Sequence, residues 1–220
     1  MKLLGLPGWS CTRTLDEWMG YPIKVVGHFE QLQALKSGSE AIKELLPTTG
    51  DWTLVTWSMG TKLGLQMAEL WGENPPKKWI ALSPFLHFSE EASASDYEDV
   101  MQLKAGLIAK PESALKLFTR SHGVRAPWMD ESLNDEKVAL LADSLDILCE
   151  PFSCPSNKLD LPIYAFFGSK DSLVNEWMVD EFCEKVGAKK EPSLEGVSHA
   201  LFYEQPELLR SALKEHLKFE

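Results

Sequence analysis

Positive charge is in short supply in this sequence: 22 lysines and arginines stand against 33 aspartates and glutamates, a formal net charge of -11 at pH 7. Nucleic-acid binding draws on surplus Lys and Arg to neutralise phosphates, so no nucleic-acid partner is expected. Cysteine is scarce too, with Cys11, Cys149, Cys154 and Cys183 making four. Only Cys149 and Cys154 lie close together, there is no CxxC, and no second pair completes a zinc site. The four read as reduced thiols, and neither a disulfide framework nor a metal is expected. Long apolar runs are missing. The run within Met1–Pro7 is too brief for a signal peptide, and no stretch approaches the length of a membrane span, so a soluble cytoplasmic protein without membrane contact is expected. There is no internal repeat and no low-complexity tract. The chain does have a hydrophobic content of 44% and eight tryptophans in 220 residues, enough for one well-packed, decorated domain.

In chain order, Lys2–Leu6 reads as a strand broken by the turn chemistry of Pro7-Gly8-Trp9-Ser10-Cys11. A second strand follows at Ile23–Val26, then a short helix over Ser39–Leu46, capped by Ser39 and ended by Pro47. Asp51–Trp57 holds a buried strand, and Thr61–Leu70 a helix with Leu63 and Met67 on its apolar face. Trp79–Leu82 is a further strand. This alternation predicts a mostly parallel sheet with both faces covered. It stops between about His87 and Leu159, where helical periods at Val100–Ile108, Ala114–Phe118 and Val138–Leu148 are punctuated by Pro111, Gly123, Pro127, Pro151 and Pro155. The expected organisation is therefore a core of residues 1–86 and 160–220 with a helical lid insertion at 87–159. The sheet pattern resumes at Ile163–Phe167. A helix over Asn175–Lys185 follows, then a short strand near Glu191–Leu194 and a last helix opened by Pro206, with Leu209, Leu213 and Leu217 on one face.

Between the buried strand and its helix sits Ser58, in Thr56-Trp57-Ser58-Met59-Gly60. A serine held in a tight strand-to-helix turn projects its hydroxyl out of the chain path, provided the residues two before and two after are small. Gly60 meets that need, and Thr56 meets it in part. In open parallel sheets reacting groups gather at the carboxyl ends of strands. Ser58, Asp171 and His199 each follow a predicted strand, and Trp9 follows the first. A serine hydroxyl needs an imidazole to take its proton, and His199 is the candidate base; Asp171 would fix its tautomer. The backbone N–H groups of Met59 and Trp9 are the candidate donors to a tetrahedral oxyanion. Taken singly, Asp171 reads as a turn or capping residue and His199 as a loop histidine; their joint order carries the reading. His28 also follows a strand and is a weaker candidate for a substrate contact, while His87 and His122 fall in or near the insertion and His216 sits near a helix end, where a solvated or dipole-favoured histidine is ordinary. Trp57, Phe85, Phe88 and Phe202 are core aromatics by default, with Trp57, Phe85 and Phe88 placed to line an acyl pocket. Across Met101–Trp128, Lys104, Lys110, Lys116, Arg120 and Arg125 face a single Glu112. That locally basic face is either a docking surface for an acidic carrier protein or a solvated helix face.

At these residues the chain resembles the α/β-hydrolase superfamily, and most resembles the pimeloyl-acyl-carrier-protein methyl ester esterases of biotin synthesis. The similar elements are Leu6-Pro7-Gly8-Trp9, Trp57-Ser58-Met59-Gly60, Gly168-Ser169-Lys170-Asp171 and Ser198-His199-Ala200-Leu201-Phe202. The family usually has His where Pro7 stands and Gly where Thr56 stands. Lys2–Leu6 corresponds to the fold's third strand, so the resemblance implies a sheet lacking the first two. It also implies an esterase using Ser58, His199 and Asp171, with no cofactor, that frees methanol from an acyl chain on acyl carrier protein; a monomer is expected. The alternatives are a small-ester carboxylesterase or thioesterase of another pathway, or a non-catalytic binding protein on the same fold.

Overall fold

The architecture is that of a computed structural model, which describes residues 2–11, 20–88, 94–122, 132–150 and 159–217. Among the described residues six strands form one sheet: β1 (Lys2–Leu6), β2 (Ile23–Val25), β3 (Trp52–Trp57), β4 (Lys78–Leu82), β5 (Ile163–Phe166) and β6 (Lys189–Lys190). Their order is β2-β1-β3-β4-β5-β6, and every neighbouring pair is parallel. Parallel neighbours need crossovers, which are supplied by α1 (His28–Ser37), α2 (Ser39–Leu45), α3 (Gly60–Ala68) and α7 (Glu176–Val186). Successive residues of a strand point to opposite faces. Leu4, Leu6 and Leu54 thus join one apolar cluster with Leu32, Ile42, Leu63 and Met178 from these helices. Leu3, Val55 and Ile80 join the other, against Leu201 of α8 (Leu201–Glu204) and Leu209 and Leu213 of α9 (Pro206–Leu213). Central β3 is buried along its whole length, as a strand covered on both faces must be.

Pairing of Leu6 with Thr56, Trp57 with Leu82 and Leu82 with Phe166 aligns the carboxyl ends of β1, β3, β4 and β5. The loops leaving those strands therefore share one edge of the sheet. Between β4 and β5 the described residues form helices only: α4 (Ala94–Ala109), α5 (Pro111–Ser121) and α6 (Asp135–Cys149). Pro111 opens α5, and the Asn134 side chain caps α6 by accepting the Lys137 N–H at 2.8 Å. Cys11, Cys149 and Cys183 are free thiols, while Cys154 lies outside the described residues.

Three elements differ from the sequence reading. The last strand is Lys189–Lys190, not Glu191–Leu194, because Pro192 has no N–H to continue the ladder. Pairing persists around the interruption: Glu191 N–H donates to Ala165 O at 2.9 Å and Leu194 N–H to Phe167 O at 2.8 Å. Ser39 does not cap α2; it is the first helical residue, preceded by Gly38 at φ 88°, whose N–H closes α1 on Ala34 O at 3.0 Å. Helix α1 itself was not expected. Its buried face includes His28 and Gln31 beside Leu32 and Leu35, and that polarity hides the apolar period.

Candidate active site

Ser58 leaves β3 with φ 51°, a left-handed conformation that an L side chain adopts only when its surroundings impose it. They do so here. The Ser58 N–H donates to Leu82 O at 2.9 Å, and α3 starts at Gly60, where a Cβ would meet Leu6 O at 2.1 Å. The helix therefore passes against β1 with no room for a side chain. Thr56, two residues before the serine, is accommodated. Its Oγ1 accepts from the Trp79 indole at 2.9 Å and lies 3.3 Å from Thr61 Oγ1. Its methyl faces Gly64, where a Cβ would lie 3.0 Å from it. The bulk at position 56 is thus absorbed by a glycine one turn into the helix. Gly60→Ala is expected to lower stability by about 3 kcal/mol or more, read as a lower urea midpoint at unchanged m.

His199 and Asp171 meet Ser58 across the shared edge. His199 Nε2 is 2.9 Å from Ser58 Oγ, and its Nδ1 is 2.9 and 3.1 Å from the Asp171 oxygens. Because Asp171 only accepts when ionised, Nδ1 carries the imidazole proton and Nε2 is left to accept from the serine. The two loops are locked together. Lys170 N–H donates to Val197 O at 2.8 Å, and a Cβ on Gly168 would lie 2.2 Å from that same oxygen. Trp57 Nε1 also donates to His199 O at 3.1 Å. Asp171 is itself held: Oδ1 accepts from Leu173 N–H at 3.0 Å and Val174 N–H at 2.9 Å, and Oδ2 accepts from the Ser83 hydroxyl at 2.7 Å. Burial alone would raise its pKa. The charge and hydrogen bond of His199, the Val174 N–H and the Ser83 hydroxyl outweigh burial and hold the carboxyl below its ordinary value. Ser83, itself at φ 43° at the exit of β4, was not anticipated from sequence.

The loop after β1 brings Trp9 to the same edge. Its indole donates to Ser144 Oγ of α6 at 2.9 Å, and its ring meets Phe118 of α5 edge-on at 4.9 Å. Gly8 lies so close to Trp57 that a Cβ would approach the ring to 2.7 Å. Among the described residues, neither the Trp9 N–H nor the Met59 N–H donates to a protein acceptor.

No family model matches the chain, and no curated protein does. Solved structures do. An esterase from Exiguobacterium antarcticum superposes with a TM-score of 0.75 at 16% identity, over 98% of this chain and 91% of that one. A bromoperoxidase from Bacillus anthracis gives 0.68 at 18%, over 99% and 92%. A thioesterase of the prodiginine biosynthetic pathway of Streptomyces coelicolor gives 0.66 at 18%, over 99% and 90%. The chain has the α/β-hydrolase fold. At such identity the likeness speaks for architecture, and the chemistry has to be argued from the site.

Within this α/β-hydrolase fold, Ser58 and His199 open on a cavity of about 30 Å³ walled by Trp9, Trp57, Phe85 and Phe88. Phe85 and Phe88, expected near the site, lie on its wall with ring centroids 4.6 Å apart and planes tilted by 42°. Val100, Leu103, Phe118 and Leu173 line both it and an adjoining groove of about 630 Å³ between α4, α5 and the loop after β5. His122 lines that groove, its ring 6.0 Å from that of His199. Burial, then the neighbouring His199, lowers its pKa to about 4, so it is neutral near pH 7. The basic residues are divided. Lys110, Lys116 and Arg120 are exposed, whereas Lys104 is half-buried and paired with Asp146 at 2.6 Å, and Arg125 lies outside the described residues. Among the described residues no cluster of metal-ligating side chains is present, and no helix is long and apolar enough to cross a membrane.

Proposed function

We propose that the protein is a serine hydrolase of carboxylic esters. The observation that carries this is the hydrogen-bonded series Ser58–His199–Asp171 at 2.9 Å per link, on a strained turn facing an apolar cavity. His199 Nε2 takes the hydroxyl proton as Ser58 Oγ attacks the ester carbonyl. The N–H groups of Trp9 and Met59 hold the resulting oxyanion. His199 then returns the proton to the departing alkoxide, which leaves as the alcohol, and a water deprotonated by His199 releases the acyl group as a carboxylic acid. The reading is tested by labelling with a fluorophosphonate probe and locating the adduct by mass spectrometry. Modification of Ser58 is expected; no adduct would leave the alternative of a hydrolase-fold binding protein. A binding protein of this kind would need Ser58 displaced, for instance by the bulk of Thr56, and the packing of Thr56 against Gly64 and Trp79 argues against that displacement.

The finer reading is a methyl ester of a long acyl chain, of the kind pimeloyl-acyl carrier protein presents. Its support is the asymmetry of the site. A cavity of about 30 Å³ holds about two water-sized groups, enough for a methoxy leaving group beside His199. The 630 Å³ groove takes a long apolar chain and runs along α4 and α5, where Ile108 and Leu117 are exposed near Lys110, Lys116 and Arg120. Those three cations are the carrier-facing residues in this reading; Lys104, paired with Asp146, contributes less. In a series of alkyl esters of one long acid, kcat/KM is expected to fall about 10- to 100-fold from methyl to tert-butyl. A flat series would favour the broader carboxylesterase or thioesterase alternative.

A further inference from the structure

Two polar side chains, His28 and Gln31, lie buried behind the loop that carries Trp9, where an amphipathic helix would ordinarily put apolar residues. Both belong to the first turns of α1, three residues apart and hence on one face. Their relative exposures are 2% and 0%, so each needs a structural or functional reason to be polar. The reason lies in what they bond. Gln31 Nε2 donates to Pro7 O at 2.8 Å. His28 Nε2 accepts the Ser10 N–H at 3.1 Å. The two bonds fall on either side of Gly8 and Trp9, and they fix the peptide groups at both ends of that short stretch.

We propose that His28 and Gln31 are positioning residues that clamp the loop Pro7–Ser10, so that the Trp9 N–H is presented to the oxyanion. This rests on the reading of the protein as a serine hydrolase with Trp9 as an oxyanion donor. Three features support it. Ser10 is held at φ 59°, a conformation the loop would not keep without restraint. Among the described residues the Trp9 N–H has no protein acceptor, while the peptide groups around it are engaged. The tryptophan side chain is pinned separately, by Ser144 and Phe118, so the loop is fixed from the helix side, through its backbone, and from the α6 side, through the indole. Complete burial holds the His28 pKa near 3, so the ring stays neutral and Nε2 stays an acceptor throughout the working range of pH. Among the described residues the His28 Nδ1 and Gln31 Oε1 have no hydrogen-bond partner, which leaves the clamp bonds as the polar contacts these side chains make there.

The test compares native protein with His28→Leu, His28→Gln and Gln31→Met. Loss of an oxyanion donor typically lowers turnover about 100- to 1000-fold, and misaiming one should do about a tenth of that. His28→Leu and Gln31→Met are expected to lower kcat about 10- to 100-fold with KM within about twofold, and to weaken inhibition by a trifluoromethyl ketone in the same proportion, since its hemiketal oxyanion uses the same donors. His28→Gln restores an acceptor for the Ser10 N–H and is expected to recover most of the loss. Native turnover with kcat and inhibition unchanged in His28→Leu and Gln31→Met overturns the clamp alone. So does an equal loss in His28→Leu and His28→Gln that follows melting temperature. A native protein that neither turns over ester nor binds the ketone overturns the hydrolase reading itself, and the clamp with it.

Discussion

Ser58→Ala is expected to lower turnover of a short-chain p-nitrophenyl ester on the order of 10⁴-fold or more, and to abolish the stoichiometric burst of p-nitrophenol shown by the native protein. His199→Ala is expected to match it, and the double variant to lose little more. The reason is geometric: Ser58 Oγ and His199 Nε2 are 2.9 Å apart and act as one unit, so removing either half removes the activated nucleophile. Residual activity should come from the donors that do not depend on either side chain, the N–H groups of Trp9 and Met59. Ser58 is 5% exposed and its strained φ of 51° is enforced by Gly60 and Leu82, so the loss should appear in kcat with stability unchanged or improved. Burst amplitude, steady-state rate and thermal midpoint measured on one preparation separate these effects. Equal bursts in native protein and Ser58→Ala would remove Ser58 from the mechanism.

The parts of this molecule legible in the sequence are those encoded locally. A mostly parallel sheet followed from apolar runs alternating with helical periods, and Gly60 pointed to a close helix–strand approach, where a Cβ would lie 2.1 Å from a carbonyl oxygen. The positions of Ser58, Asp171 and His199 at strand exits followed from the same pattern, and the register of β3, β4 and β5 is what brings those exits together. What sequence did not disclose is held by long-range contact. Ser83 reads as an ordinary turn residue until Asp171, 88 positions away, accepts its hydroxyl. Ser144 reads as a polar interruption of α6 until the Trp9 indole reaches it across 135 positions. His28 offered only its place after a strand, which suggests substrate contact; the fold instead buries it behind the loop. Trp57 was expected as a pocket wall and is one, but its indole N–H also holds the His199 carbonyl. Thr56 looked like a defect because its compensation, Gly64, lies eight residues on and is visible only once the helix is built.

Asp171→Asn is expected to lower kcat by about 10⁴-fold while leaving the loop nearly in place, and its physical basis differs from that of Ser58→Ala. An asparagine oxygen can still accept from Leu173 and Val174, the bonds that Oδ1 makes now. The amide nitrogen must then occupy the Oδ2 position, 2.9 Å from His199 Nδ1 and 2.7 Å from the Ser83 hydroxyl. As a donor, it forces Nδ1 to become an acceptor and moves the ring proton to Nε2. That proton then points at Ser58 Oγ, and the imidazole can no longer take the serine proton. Stability offers an independent check on sign. The Asp171 carboxyl is held below its ordinary pKa, so its ionised form stabilises the fold above the unfolded value of about 4, and this contribution is lost as pH falls through the folded value. The melting temperature of Asp171→Asn should therefore fall furthest below native near pH 7, and the gap should narrow below about pH 4. Adding Ser83→Ala to native protein removes one of the bonds that oppose burial, so it should raise the Asp171 pKa and shift acid unfolding to higher pH. A pH-independent gap for Asp171→Asn, or an unshifted acid midpoint for Ser83→Ala, would mean that the carboxylate is not held by these contacts.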